Sequence, residues 1–287
     1  MNRDILAVIQ ENMNTFSKGQ KRIANYILES YDKAAFMTAS RLGKRVNVSE
    51  STVVRFAAEL GYDGYPSMQK SLQKMIRNRL TSVQRIEVAN DRIGDQNVLD
   101  MVLQSDIEKI RLTLEDIDRD SFDKATDAIV AARRIYIIGV RSSAAIATFL
   151  GFYFNLLFDN VAMITANTPS EVFESLLRVG EGDVIIGVSF PRYSSRAVQA
   201  VSFARDRGAT TIAITDSEAS PLAQISQYTL KARSDMASFV DSLVAPLSLV
   251  NALLVAVSRK KNEDLTHTFQ LLEQIWDEYG VYEKVQE

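Results

Sequence analysis

Apolar positions in the first eighty residues recur at intervals of three and four: Ile5, Val8 and Ile9, then Ile23, Ile27 and Leu28, then Val53, Phe56 and Leu60. That spacing puts them on one face of a 3.6-residue turn and predicts helices throughout. Ser17 and Thr38 stand where they can cap helices by accepting a free amide. Pro66 suits the first turn of a last helix over about 66–79. Residues 81–100 are polar with weak periodicity and read as a linker. A helix near 101–117 follows, with Val102, Leu103, Ile107, Ile110 and Leu114 on one face.

From about residue 121 the pattern changes. Apolar runs with strand character occur at 134–139, 161–165, 183–189, 210–215 and 227–231, separated by helical stretches near 143–158, 170–178, 195–207 and 219–225. Continuous apolar strands with helical crossovers predict a parallel sheet covered on both faces. A long apolar helix over about 237–258 and an amphipathic one with Leu265, Phe269, Leu272 and Trp276 inward complete the pattern. The expected organisation is an all-α domain over 1–80 and a linker with connecting helix over 81–118. An α/β domain with a five-stranded, doubly wound parallel sheet over 119–262 and a C-terminal helix over 263–287 follow.

Composition adds four constraints. The chain has 287 residues, 46% hydrophobic and 24% charged, which suits globular folding and leaves room for two domains. It has no cysteine, which excludes disulfide and thiolate chemistry and fits a reducing compartment. The N-terminus lacks a signal peptide's apolar core and no apolar run reaches membrane-spanning length, so a cytoplasmic location without a membrane partner is expected. The net charge of −3 hides an asymmetry: residues 1–80 hold 13 basic and 7 acidic side chains, the remainder 20 and 29. A basic front on an acidic body predicts a polyanion-binding module joined to something else.

The sharpest local signal is "TASRLGKRVNVSESTVVRFAAELGY" (38–62), which reads as helix, tight turn, helix. Gly43 is small where two helices must cross, Asn47 tolerates a left-handed turn, and Ser49 can cap the second helix. Val46, Val48, Val53, Phe56 and Leu60 form the expected apolar seam. The second helix then exposes Glu50, Ser51, Thr52, Arg55 and Glu59. Short polar residues in a first turn, followed by one arginine, suit a helix entering the DNA major groove. Arg55 has the reach for a bidentate contact to guanine, and Ser49, Ser51 or Thr52 for bases or phosphates. Lys44, Arg45, Lys70, Lys74 and Arg77 are candidates to neutralise backbone charge. The plainer alternative is a packing bundle with solvated charges.

The stretch "VSESTVVRFAAELGYDGYPSMQK" resembles the DNA-binding domain of the RpiR/MurR-type bacterial transcription regulators, over most of residues 1–78. The remainder resembles the sugar isomerase (SIS) domain that those regulators carry. The resemblance implies a homodimer or homotetramer that binds inverted-repeat operator DNA, senses a phosphosugar and controls carbohydrate-metabolism genes. The sequence carries no metal-ligand cluster, Walker loop or Ser-His-Asp set, and no cofactor or metal is expected.

Two strand ends carry groups suited to an anion. In "GVRSSAA" (139–145), Gly139 lets the backbone turn, and Arg141, Ser142 and Ser143 precede or open a helix. In "SFPRYSS" (189–195), Ser189, Arg192, Tyr193, Ser194 and Ser195 do the same. Ligands of open parallel sheets sit beyond the carboxyl ends of the strands, where helix N-termini favour phosphate. A third strand ends at Thr215–Asp216. Each serine is also a plausible helix cap, and Tyr193 a packing residue. SIS domains usually read Ser-x-Ser-Gly-x-Thr in the second loop. Laid on that pattern, Ser189 matches the first serine and Ser194 the threonine, while Pro191 and Arg192 stand at Ser-Gly. In the first loop Ser143 matches the usual serine and Arg141 replaces a small residue. Two added arginines imply a ligand with extra negative charge, such as a sugar acid phosphate.

The SIS resemblance also raises an aldose–ketose isomerase with an accessory helical domain. That chemistry needs a general base, typically Glu, and often a His. The single histidine, His267, falls in the last helix; Glu171 and Glu174 follow the second strand, and Asp241 is expected to open the long helix after the fifth. None forms a recognisable acid–base pair, so no catalytic residue is assigned. A sugar-phosphate-binding adaptor with a protein-docking bundle is a third alternative.

Overall fold

Capped helices with apolar seams build the first part of the molecule; the computed structural model describes residues 5–76, 80–94, 97–165, 168–236 and 238–283. The chain forms two compact units. One comprises Met1–Val102 with Met236–Asp241, the other Leu103–Asp235 with Ser242–Glu287.

The first unit contains α1 (Ile5–Glu11), α2 (Lys18–Glu29), α3 (Tyr31–Ala34), α4 (Ala39–Arg45), α5 (Glu50–Glu59), α6 (Tyr65–Ile76) and α7 (Ser82–Ile93). Ser17 and Gln20 form a reciprocal capping box at the start of α2, and Thr38 and Ser49 cap α4 and α5. Such caps satisfy amides that the helix itself leaves unpaired. Ile9, Ile23, Ile27, Leu42, Val53 and Phe56 are fully buried together, with Val46, Val48 and Leu60 packed at their edge. Phe16 lies against Phe56, ring centres 5.1 Å apart. Tyr65 is buried and donates its hydroxyl to the Met37 carbonyl at 2.7 Å.

Residues 82–93, which weak periodicity assigns to a linker, form α7. Thr81 and Gln84 cap it reciprocally. Its inward positions are Arg85, Val88 and Ala89. Arg85 is 3% exposed and forms an ion pair with Asp241, 156 positions further along the chain. Asp241 does not open the long helix after the fifth strand, as the sequence suggests. That helix starts at Val244, and Asp241 lies in a short segment bridged back to Met236.

The second unit holds most of α8 (Val98–Asp116), then α9 (Arg119–Val130), β1 (Arg134–Gly139), α10 (Ser143–Leu157), β2 (Val161–Ile164), α11 (Pro169–Ser175), β3 (Asp183–Val188), α12 (Ser195–Arg205), β4 (Thr210–Thr215), β5 (Tyr228–Lys231), α13 (Val244–Lys260) and α14 (Asn262–Glu278). A short 3-10 turn at Ala223–Ile225 replaces the expected helix over 219–225. All four strand pairings are parallel, in the order β2-β1-β3-β4-β5.

Alternate residues of each strand face opposite layers, as strand geometry requires. Ile135, Ile137, Ile186 and Ile212 pack beneath α9, α10 and α13, against Ile129, Leu150, Phe154 and Leu253. Tyr136, Ile138, Ile185 and Ala213 pack beneath α11 and α12, against Leu176, Val201 and Ala204. The fold is therefore an all-α helix-turn-helix part joined to a doubly wound α/β part. No described helix is long and apolar enough to cross a membrane. On α8 the predicted apolar stripe forms, but it faces outward: Leu103, Ile107 and Leu114 are each more than half exposed.

Candidate functional site

The helix-turn-helix geometry follows from three residues. A Cβ on Gly43 would stand 2.8 Å from the Val48 carbonyl oxygen, so the crossing of α4 on the turn requires glycine. Asn47 takes φ of 54°, the left-handed conformation that a short polar side chain tolerates. Ser49 accepts from the Thr52 amide at 3.3 Å. Its hydroxyl also lies 2.9 Å from that of Ser51 and 2.8 Å from that of Thr52, so three hydroxyls converge on the first turn of α5.

Around this turn, Lys44, Arg45, Glu50, Ser51 and Arg55 are exposed and Thr52 is half-buried. Arg55 folds back along its helix, its Nε 3.4 Å from the Ser51 carbonyl. Glu59, one turn further on, accepts from Gln20. Lys70 is exposed on α6; Arg77 and the side chain of Lys74 lie outside the described residues. The fold also brings together side chains that sequence spacing does not associate. Tyr26, Lys33, Met37 and Arg41 line, with Lys44 and Arg45, a concavity of about 530 Å³.

The second constellation lies at the carboxyl ends of β1, β3 and β4. β1 and β3 are hydrogen-bonded neighbours, and the strand order reverses between them. This is the switch point at which open α/β sheets take ligands. After β1, a Cβ on Gly139 would stand 2.5 Å from the Ser143 carbonyl oxygen, so glycine is needed for α10 to pack close to the strand. Arg141 is exposed with φ of 60°. Ser142 holds the cap position of α10 but makes no side-chain capping bond, and Ser143 is buried at the helix start.

After β3, buried Ser189 accepts at its hydroxyl from the Ser194 amide, 3.1 Å away, and so closes the loop. Within that loop Arg192 has φ of 62°. Ser194 caps α12 by accepting from the Ala197 amide at 3.4 Å, and Ser195 is exposed at the first helical position. Tyr193 reaches across to Asp216, at the end of β4. The structure thus gathers all nine sequence candidates on neighbouring strand ends, and Tyr193 ties them to Asp216 at the third strand end singled out in the sequence.

The residues considered for isomerase chemistry are arranged otherwise. Glu171 sits in the first turn of α11, where its carboxylate accepts from the Thr168 amide as half of a capping box. Glu174 is exposed on the same helix. The side chains of Leu265 and His267 lie outside the described residues. Phe269, Leu272 and Trp276 are half-buried.

Comparison with known proteins gives both parts a family. Residues 3–79 match the helix-turn-helix domain of the rpiR family, and residues 128–256 match the SIS domain. The transcriptional regulator HexR of Escherichia coli is 24% identical over 265 residues, spanning 90% of this chain and 89% of HexR. A regulator of Caldanaerobacter subterraneus, TTE0211, is 25% identical over 266 residues, 91% of this chain and 93% of that protein. Among solved structures, the sugar isomerase domain of an RpiR transcription factor from Sphaerobacter thermophilus is 30% identical, with a TM-score of 0.60, and covers 62% of this chain and 99% of that one. Vibrio vulnificus NanR, solved in complex with ManNAc-6P, is 24% identical, with a TM-score of 0.58, over 95% of this chain and 99% of its own. With residues 3–79 matching the one domain and residues 128–256 the other, the chain belongs to the rpiR family of helix-turn-helix transcriptional regulators that carry a SIS domain.

Proposed function

We propose that the protein is a ligand-responsive regulator of carbohydrate-metabolism genes whose SIS domain senses a phosphorylated, acidic sugar derivative. Residues 1–80 bind an inverted-repeat operator, with Ser49, Glu50, Ser51, Thr52 and Arg55 at the bases and Lys44 and Arg45 at the backbone. Residues 119–262 hold the effector at Gly139, Arg141, Ser142, Ser143, Ser189, Arg192, Tyr193, Ser194 and Ser195. The observation that carries this reading is the pairing of two serine loops on adjacent strands, each with an arginine in a left-handed conformation. Such backbone is costly for a residue with a side chain and concentrates at functional sites. ManNAc-6P in a structure of the same fold supports a phosphosugar, and the two arginines favour a ligand with a carboxylate as well.

No isomerisation is assigned, since Glu171 is engaged in capping α11, Glu174 is exposed on the same helix and the relatives are regulators. The exposed stripe of Leu103, Ile107 and Leu114 on α8 supports a homodimer or homotetramer, because monomers rarely expose such contiguous apolar faces. Two experiments test the reading. Selection from a random duplex pool is expected to return a pseudo-palindrome, and Arg55→Ala to lose the preference; retained selectivity would move base reading off α5. A thermal-shift panel of phosphosugars and phosphorylated sugar acids is expected to yield a stabilising ligand by mass action. Ser143→Ala with Ser194→Ala removes that shift if the loops hold it, and an undiminished shift would refute the site.

A further inference from the structure

We infer that the concavity between α2, α3 and α4 is a second seat for the DNA backbone, taking phosphates beside those at the reading helix. The inference rests on the DNA-binding reading above and extends its footprint to Lys33. Four of the six side chains that line the concavity are cationic (Lys33, Arg41, Lys44 and Arg45) and none is acidic. The four come from two helices, and Lys33 lies eight positions or more from the others in sequence. Lys33, Lys44 and Arg45 are exposed, so their charge is directed at solvent. The guanidinium of Arg45 lies over the Tyr26 ring, 5.9 Å from its centre, which holds that charge at the wall while leaving its donors to a ligand.

Lys33, Lys44 and Arg45 present three exposed cations to one opening, and an anion seated there is attracted by all three. The expected anion is the sugar–phosphate backbone for a geometric reason. α4 carries three of the cations and joins α5 through the tight turn at Asn47. In a helix-turn-helix the first helix crosses the backbone while the second enters the groove. The patch is bounded by a neighbouring concavity that shares Lys33 and Arg41 but includes Asp32 and Glu87. The phosphates are therefore expected on the Tyr26 and Arg45 side, away from the acidic pair.

The test uses the full chain and a duplex that the wild-type protein selects from a random pool, with a scrambled duplex beside it. Binding is measured between about 50 and 200 mM salt for wild type, Lys33→Gln, Arg45→Gln, the double variant and Lys33→Arg. Each lost phosphate contact is expected to lower the slope of log K against log salt by about 0.9 per protomer, and the double variant by about twice that. Both duplexes are expected to weaken by the same factor, since backbone contacts carry no sequence information. Lys33→Arg is expected to keep the wild-type slope. An unchanged slope in the double variant, a loss confined to the selected duplex, or a Lys33→Arg slope as low as that of Lys33→Gln would each overturn the inference. A wild-type chain that retains no duplex would instead remove the DNA-binding reading, and this seat with it.

Discussion

The Tyr193 hydroxyl donates to Asp216 Oδ1 at 2.8 Å and ties the loop after β3 to the end of β4. A hydrogen bond to a charged acceptor contributes about 1.5–3 kcal/mol. If the tie preorganises the effector loop, Tyr193→Phe should weaken effector binding by about tenfold or more. Titration of the ligand found by thermal shift checks this. Unaltered affinity would reduce Tyr193 to packing.

Arg141 and Arg192 present a trade-off between stability and function. Each holds a left-handed backbone. For a residue with a Cβ that conformation costs about 1–2 kcal/mol. Glycine avoids the cost but adds about 0.5–1 kcal/mol of chain entropy to lose on folding. Arg141→Gly is therefore expected to be as stable as wild type, or slightly more so, without ligand, and Arg192→Gly to gain the same backbone relief. Their ligand-induced rise in melting temperature is expected to be smaller. Thermal unfolding with and without effector measures both quantities. A variant that melts early and responds fully would contradict the role given to these arginines.

Crowding at Gly43 can be tested through both stability and DNA binding. Gly43→Ala pushes a methyl group against the Val48 carbonyl, at 2.8 Å. Overpacking of this kind costs about 1–3 kcal/mol. Chemical denaturation should report that loss, and DNA affinity should fall with it because the turn sets the angle between α4 and α5.

Much of this was readable from residue order. The runs at 134–139, 183–189 and 210–215 are apolar on both faces, so their strands and the polar stretches at their ends follow directly. Asn47 and Ser49 announce the turn for equally local reasons. α7 was hidden because its inward stripe is Arg85, Val88 and Ala89, so a charge occupies a core position and erases the periodicity. The late start of α13 has the same origin. Residues 237–243 read as helix, but Asp241 is held by a partner 156 positions away. The basic concavity was hidden too, since it assembles residues from three helices.

Arg85 and Asp241 are 3% and 12% exposed, so removing one partner leaves the other charge buried. Arg85→Ala is expected to cost about 3–5 kcal/mol. Replacing both, as Arg85→Met with Asp241→Leu, is expected to be neutral or stabilising, because no charge is then left without its partner. Urea unfolding of the two variants distinguishes the pair's cost from its packing.

Alkaline pH gives a separate probe of the first unit. Burial pushes the Tyr65 hydroxyl up to about 12, from 10.0. A raised folded value means that its contribution is complete below pH 10 and is lost as pH rises through 12. Stability should fall across that window, and Tyr65→Phe should flatten the fall. At lower pH the same variant should be less stable by about 1 kcal/mol, from the lost bond to the Met37 carbonyl. Denaturant midpoints from pH 8 upward decide it.

The ion pair of Arg85 also bears on how the protein is made. A ribosome delivers residues from the N-terminus, and domains generally fold in that order as they emerge. Here Arg85 leaves the exit tunnel long before Asp241 exists, and every strand of the sheet, through β5 at Tyr228–Lys231, is synthesised in between. The nascent DNA-binding unit thus carries an uncompensated cation at a core position until translation has passed the last strand. The unit made first is therefore completed late: a chain that ends before residue 241 leaves Arg85 on α7 without its partner.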